Sequence, residues 1–403
     1  MSGYDLLSGI VVLEVAHFGP SALGGYLADM GADVVKVEGF EGDPVRSSGP
    51  FALGQPDGPG FLHLRWNRGK HSLCIDLKSD TGQDVFKDLA AKADVVIEGM
   101  RAGVLDRLGL GYEVLRGLNA GIVFCSVSGF GSSGPYSGLE SHGPSFDAFG
   151  GLGAFSPYSE RVTGFDQPRR APVGMHAVTL HAALGTLSAV IRAQRTGQGA
   201  YLEVAAVDSA AHWLPNALDP LLNEEHLHAR PGFTNAAGKM ALWPMLNEYG
   251  TSDDRFVFFM GRSAAGWAKF CSAVDRPDLA GEYAIGGDDD EALFATLSEL
   301  FATRTRDDWT KLFTARGVPC VPVNSLRDLV ADEQFLAKEN TYEVEHPRAG
   351  RVALTGTPVR VRDQTFAPEL APDLGQHSDS VLSRLLGLGN EEINTLRTRG
   401  VIA

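Results

Sequence analysis

The chain has 403 residues, which is enough for about two domains of ordinary size. Its formal net charge of −15 comes from 50 acidic and 35 basic residues, so it lacks the basic surface that nucleic-acid binding requires. Hydrophobic residues make up 44% and charged residues 21%, which excludes a disordered chain and favours a globular one.

The first 130 residues alternate between strand and helix patterns. Strands are predicted at "GIVVLEVA", "ADVVKVE", "HSLCIDLK", "DVVIEGM" and "GIVFCSVS", with helices at "SALGGYLADMG", "GQDVFKDLAAKA" and "VLDRLGLGYEVLRGLN". This alternation predicts an α/β fold with a mostly parallel sheet. Ligands of such sheets lie beyond the carboxyl ends of the strands, so loops 17–20, 39–46, 67–71 and 99–103 form the candidate binding surface.

The rest of the chain divides into three regions by its pattern. Residues 130–175 are rich in glycine, proline and serine, which predicts a long, functional loop. A long helix is expected at about 176–195, and a smaller α+β unit begins near residue 216. The last 75 residues are typical of strands and a terminal helix that pack back on the first domain.

The cysteines and short motifs predict no disulfide, no metal site and no dinucleotide cofactor. Cys74, Cys125, Cys271 and Cys320 have no paired or metal-like spacing, so we expect reduced thiols in the core of a cytoplasmic protein. No signal peptide or membrane span is apparent, so no membrane partner is expected. "GFGSSG" at 129–134 is followed by Pro135 rather than by a helical pattern, which favours a tight ligand-facing loop over a dinucleotide site. "HLH" at 226–228 has no third ligand, so no metal is predicted.

Two segments carry clustered basic residues. "NRGKHS" at 67–72 precedes a strand, and "RAGVLDRLG" at 101–109 surrounds a helix start. Cations beside helix N-termini suit phosphate, but solvated surface charge explains such clusters equally well. The residues alone leave this choice open.

Several blocks, in order, resemble the family III CoA-transferases, a group that also contains α-methylacyl-CoA racemase. These blocks are "YLADMGADVVKVE", "GDPVR", "NRGKHSLCIDLK", "SGFGSSGPY", "RTGQGAYLEVAAVD" and "EVEHPRAGRVALTGTPVR". The resemblance implies a large Rossmann-like domain with a parallel sheet built from both chain ends, residues 1–215 and 328–403. It also implies a small domain at 216–327 and an interlocked dimer.

The resemblance further implies coenzyme A or an acyl-CoA as substrate and no metal. It favours the phosphate interpretation of the basic segments. CoA contacts carry over onto His17, Phe18, Lys70, Gly99, Met100 and Arg107. The chain departs from the family at Gly39, where a basic residue is common, and at Gly99-Met100, where the family has Asn-Phe.

The largest departure concerns the catalytic carboxylate. In the transferases, an aspartate directly after a "[VL]G" dipeptide attacks the acyl-CoA thioester, and in the racemases it works as an acid/base opposite a histidine. That position is Met175 here, and a thioether can neither attack nor carry a proton. The family's second carboxylate falls on Gly143, whereas His142 matches the racemase histidine.

Three interpretations remain open. The chain is the non-catalytic partner of a paralogous catalytic subunit in a heteromeric CoA-transferase. Alternatively, it associates only with itself as a CoA-thioester racemase that uses His142 with a new partner, His176, Asp147 or Asp166. In the third, the alignment is shifted and another carboxylate, such as Asp166, is the nucleophile. A failure to bind CoA would instead indicate a binding role outside acyl-CoA metabolism.

Overall fold

A computed structural model describes residues 3–52, 58–152, 172–226, 243–282, 291–339 and 341–403. The strands are β1 Val11–Ala16, β2 Asp33–Glu38, β3 His71–Cys74, β4 Val95–Gly99, β5 Val123–Ser128, β6 Ala200–Ala205, β7 Leu246–Gly250, β8 Phe256–Met260, β9 Cys320–Pro322, β10 Thr341–His346 and β11 Gly350–Thr355. The helices are α1 Ser21–Asp29, α2 Phe61–Trp66, α3 Asp80–Ala90, α4 Val104–Arg107, α5 Tyr112–Leu118, α6 Pro144–Phe149, α7 Val173–Thr196, α8 Ala206–His212, α9 Pro215–Leu222, α10 Ala264–Ala273, α11 Glu291–Phe301, α12 Arg306–Arg316, α13 Leu326–Ala331, α14 Glu333–Ala337, α15 Ser378–Leu386 and α16 Asn390–Thr398.

The chain forms two compact units. The larger unit contains the chain up to Leu214, apart from a short segment, and resumes from Glu333 to Ala403, whereas Pro215–Asp332 belongs to the smaller unit. The smaller unit contains the antiparallel sheet β7-β8-β9 with helices α10 to α12 packed around an aromatic core. Trp267, Phe270, Phe301, Trp309 and Phe313 are almost fully buried in that core.

The larger unit contains a six-stranded sheet in the order β3-β2-β1-β4-β5-β6, and every pairing in it is parallel. The predicted α/β fold is therefore confirmed. The strand order reverses between β1 and β4, which is where open parallel sheets bind ligands.

The chain ends contribute to this sheet differently from the prediction. Within the described residues, all six strands come from the first 205 residues, and the C-terminal segment adds only a single antiparallel bridge between Ile75 and Ile402. The apolar C-terminal runs that predicted strands pair with each other as the β10-β11 hairpin. Helices α15 and α16 supply the expected packing, because Val381, Leu382 and Ile393 join the core on one face of the sheet.

Alternation along β1 shows how both faces of the sheet are covered. Leu13 and Val15 point into the core formed with α3, α5, α15 and α16. Val12 and Ala16 point into the core formed with α1, α7 and α8. A parallel sheet buried on both faces requires such nearly continuous apolar strands. The charged Glu14 faces the α1 side with Val12 and is fully buried, so it needs a partner there.

Helix α7 is the longest helix among the described residues. It begins after Pro172 and ends at Gly197, whose φ of 70° allows the left-handed cap that closes many helices. Its length and mean hydropathy of 1.3 would suit a membrane span, but Ala177, Val178 and Ala182 are buried against the sheet. We therefore assign it to the core of the larger unit, while cytoplasmic location stays a prediction. The four cysteines are buried and free, as predicted.

Candidate functional site

The loop after β1 joins the carboxyl ends of the two central strands. The His17 amide donates to the Gly99 carbonyl oxygen at 3.3 Å, so the ends of β1 and β4 are tied together. Phe18 has a φ of 53°, and its amide donates to Asp43 Oδ1 at 3.2 Å. Burial lowers the pKa of His17, although Asp43 opposes this effect. The structure therefore brings three predicted site residues, His17, Phe18 and Gly99, to one edge of the sheet.

A buried ionic network supports this loop. Glu14 on β1 and Lys36 on β2 are register neighbours, and their side chains meet at 3.2 Å. Lys36 Nζ also reaches Asp43 Oδ2 at 3.0 Å and the Ala16 carbonyl oxygen at 2.7 Å. Burial lowers the pKa of Lys36, but Glu14 and Asp43 raise it more, and the net shift is upward. Asp43 therefore connects the network to the Phe18 amide.

Lys70 belongs to the same network rather than to an open surface. Its Nζ donates to both Glu14 carboxylate oxygens at 2.8 and 2.7 Å, to the Ser21 carbonyl oxygen at 2.7 Å and to Asn67 Oδ1 at 3.0 Å. The side chain is fully buried, and burial lowers the pKa of Lys70 to about 8. Because an ammonium group has three protons, these acceptors leave no donor for a CoA phosphate. These contacts disagree with the role in CoA binding that the family resemblance implies for Lys70.

The other basic residues of "NRGKHS" also have carboxylate partners. Arg68 is buried and forms a bidentate pair with Asp29, with Nε–Oδ1 at 2.7 Å. His71 Nδ1 lies 2.9 Å from Asp33 Oδ1. Buried lysine and arginine are rare unless they are paired, and these pairs show why this basic segment folds inward. The segment is a structural element here, and the sequence-based phosphate interpretation does not fit it.

The predicted CoA contacts at the end of β4 and beyond it have different surroundings. Gly99 is packed so closely that an added Cβ would lie 2.5 Å from the Cβ atoms of Ala16 and Pro20. Met100 instead packs against the core on the opposite face of the sheet, with Leu105 and its neighbours. Arg107 ends α4, is exposed and makes no ion pair within the described residues. Of the two predicted cationic contacts, Arg107 is thus the accessible one.

Met175 lies in the first turn of α7, directly against the loop after β1. A Cβ at position 19 would lie 2.6 Å from Met175 Cγ and 2.7 Å from its Sδ, so a side chain there would require Met175 to shift. Met175 also packs on the apolar cluster of Ala22, Val45 and Trp66. The thioether thus fills the space beside the Phe18–Gly19 turn.

A carboxylate does reach the start of α7, but it comes from α6. Asp147 Oδ2 accepts from the Val173 amide at 2.9 Å, and Oδ1 accepts from the Gly174 amide at 2.7 Å. Asp147 is 8% exposed. These bonds satisfy two of the amides that a helix start leaves unpaired, which is a capping role. Asp147 approaches Met175 as one interpretation anticipated, but both of its oxygens are occupied.

His142 lies near the loop after β1, and Gly143 lies near the residue that precedes α7. The exposed His142 ring has its centroid 6.2 Å from the Phe18 ring. A Cβ added to Gly143 would lie 3.6 Å from Pro172 Cβ, which is ordinary van der Waals contact. A side chain at position 143 would therefore contact the residue that precedes α7.

His176 occupies a half-buried position in the first turn of α7. Burial lowers its pKa, Arg65 lowers it further, and Asp147 opposes them. The imidazole is therefore neutral at pH 7. Asp166, Leu227 and His228 lie outside the described residues.

Sequence reasoning missed two features near the site, the Glu14–Lys36 pair and the position of Arg65 near His176. The signal for the pair was present, because Glu14 and Lys36 are each charged residues flanked by apolar residues within a predicted strand. Arg65 carried no comparable signal, since its surroundings come from α1, α7 and the C-terminal hairpin.

Comparison with known proteins identifies the family. The chain is 29% identical to a formyl-CoA:oxalate CoA-transferase from Streptomyces avermitilis, covering 98% of this chain and 99% of the relative. It is 30% identical to the succinyl-CoA–L-malate CoA-transferase alpha subunit from Chloroflexus aurantiacus, covering 98% and 92%. A CAIB/BAIF family protein from Brucella suis has a similar crystal structure, with a TM-score of 0.72 and 27% identity over 94% of this chain and 99% of that one. The sequence profile of CoA-transferase family III matches residues 7–378, and the chain belongs to this family.

Proposed function

We propose that this chain is the aspartate-lacking, non-catalytic subunit of a heteromeric acyl-CoA:carboxylate CoA-transferase. The observation that carries the proposal is the position of Met175, whose thioether fills the first turn of α7 beside Gly19. A transferase of this family needs an acyl-accepting carboxylate at this position, and Asp147, which reaches the start of α7, caps the helix with both oxygens.

The rest of the site retains what ligand binding needs. The loop at His17 and Phe18 is fixed by backbone hydrogen bonds and by Asp43, next to the end of β4. Arg107 is accessible to a phosphate. We therefore place CoA along His17, Phe18, Gly99 and Arg107, and assign Lys70 and Met100 to the support of these loops. A chain that binds CoA but lacks the nucleophile is what we expect of a non-catalytic subunit.

The partner in this proposal is a paralogous chain that carries the aspartate. One relative is named as an alpha subunit, so the family includes transferases with more than one kind of chain. In such a partner the aspartate would attack the thioester carbonyl carbon, release CoA thiolate and form a mixed anhydride. CoA would then return to give an aspartyl-CoA thioester and the free acid, and the acceptor carboxylate would reverse these steps.

Reconstitution tests this proposal. The purified chain alone should not transfer CoA from succinyl-CoA to carboxylate acceptors, and it should activate a co-expressed paralogue that has aspartate after its own "VG". The matched control is the same pair with that aspartate changed to alanine, which should be inactive. Transfer by this chain alone at a rate typical of enzymes would refute the proposal.

A second candidate function is a CoA-thioester racemase or isomerase that uses His142 as acid/base. The contact between the His142 and Phe18 rings favours it, because it places an exposed imidazole at the predicted CoA loop. Incorporation of solvent deuterium at the α-carbon of a 2-methylacyl-CoA, lost in His142→Ala, would support this function. No incorporation by the wild-type chain would exclude it for that substrate.

A further inference from the structure

Arg65, at the end of α2, is half-buried, and its guanidinium group makes no hydrogen bond or ion pair within the described residues. Most buried or half-buried guanidinium groups in proteins have a carboxylate partner, because desolvating an unpaired charge is costly. The pKa of Arg65 is accordingly lowered, first by burial and then by Arg68.

Arg65 shares its carboxylate neighbour with a second arginine. Arg65 and Arg68 both act on the single carboxylate of Asp29. Arg68 takes both oxygens of Asp29, through its Nε at 2.7 Å and through its Nη2. Among the described residues, two arginines share the one carboxylate of Asp29, which leaves one positive charge without a carboxylate of its own.

Arg65 lies near the start of α7, because the adjacent Trp66 packs in the same apolar cluster as Tyr26 and Met175. Arg65 acts on His176, in the first turn of α7, and on Tyr26, which packs against the same apolar cluster as Met175. Burial and Arg65 keep His176 neutral, so this histidine adds no second positive charge and remains available as a hydrogen-bonding group. The cation and the neutral imidazole are therefore both associated with the first turn of α7, where the acyl group of a bound thioester is expected.

We propose that Arg65 is a specificity-determining residue that binds the free carboxylate of a dicarboxylic acyl-CoA. The inference rests on the proposed function, since it requires the thioester to lie at the start of α7. Guanidinium groups bind carboxylates through two parallel hydrogen bonds, and a half-buried position strengthens them. A site built for such a carboxylate discriminates strongly against the analogue that lacks it, because the cation is then left unpaired.

A pair of ligands that differ mainly in this carboxylate tests the proposal. Binding of succinyl-CoA, butyryl-CoA and CoA is measured by calorimetry on the full chain, with its catalytic paralogue present if the two form a complex. Wild-type protein should bind succinyl-CoA about 10- to 100-fold more tightly than butyryl-CoA. Arg65→Gln should abolish this preference while leaving butyryl-CoA and CoA unchanged, and Arg65→Lys should retain part of it.

Controls separate this role from a structural one. Arg116→Gln, which removes an exposed arginine on α5, should leave all three affinities unchanged. Arg65→Gln should keep or raise the melting temperature, because it removes an unpaired charge. An equal loss of affinity for all three ligands, or a marked fall in melting temperature, would show that Arg65 is structural and overturn the inference. Equal binding of succinyl-CoA and butyryl-CoA by the wild type would also overturn it, whereas binding of neither CoA nor any thioester would refute the proposed function itself.

Discussion

Lys70→Met distinguishes the role that the structure gives Lys70 from the one that family resemblance implies. The substitution keeps most of the side-chain volume but removes the ammonium group that holds both oxygens of Glu14. Glu14 would then retain only Lys36 at 3.2 Å. Removing one partner of a buried ion pair costs about 3–5 kcal/mol, because the other charge stays buried without compensation.

We therefore expect Lys70→Met to lower the free energy of unfolding by about 3–5 kcal/mol in urea titrations. Its affinity for CoA, measured by calorimetry at low temperature where the variant is folded, should stay near the wild-type value. Arg107→Gln is the matched variant, because it removes an exposed cation and should weaken CoA binding without changing stability. The reasoning fails if Lys70→Met is as stable as the wild type but loses CoA binding.

Three further predictions concern the surroundings of α7 and α2. Asp147→Ala should lower the free energy of unfolding by about 2–4 kcal/mol, because two amides at the start of α7 lose their acceptor. Asp147→Asn should lower it less. Equal urea midpoints for wild type and Asp147→Ala would contradict the capping role. Burial lowers the pKa of His63 to about 3, so the unfolded chain binds a proton at this residue more readily than the folded one. The free energy of unfolding should therefore fall by up to about 1.4 kcal/mol per pH unit as the pH drops from 6.5 toward 3. His63→Gln should flatten that slope, and an unchanged slope would mean that His63 is not the responsible group. Met175→Asp alone should not create a good transferase because Gly143 also lacks its carboxylate, and rapid CoA exchange by this single variant would show that Met175 was the only defect.

Local sequence patterns were sufficient for the parallel sheet but not for the pairing of its charged residues. The alternation of apolar strands and amphipathic helices predicted β1 to β5, because each element carries its own periodicity. The basic residues of "NRGKHS" looked available for phosphate, since nothing nearby in the sequence neutralises them. Their partners, Glu14, Asp29 and Asp33, lie 38 to 56 positions away and are brought close only by the sheet and α1.

Local patterns also do not reveal the distant partners of the C-terminal strands and of the start of α7. "RVALTG" has the composition of a strand but pairs within a hairpin, and sequence periodicity does not choose a strand's partner. Asp147 caps α7 from 26 positions away, which no local capping pattern would predict. The departure at Met175, by contrast, was visible in the sequence, because it depends only on alignment with the family.

The most direct test of the central claim is to purify the tagged chain from its native cells and determine the composition of the complex by native mass spectrometry. The account predicts a second chain of similar length that carries aspartate after a "VG" dipeptide, in a fixed ratio to this one. A complex that contains only copies of this chain, and that transfers CoA, would contradict the assignment of Met175 to a non-catalytic subunit.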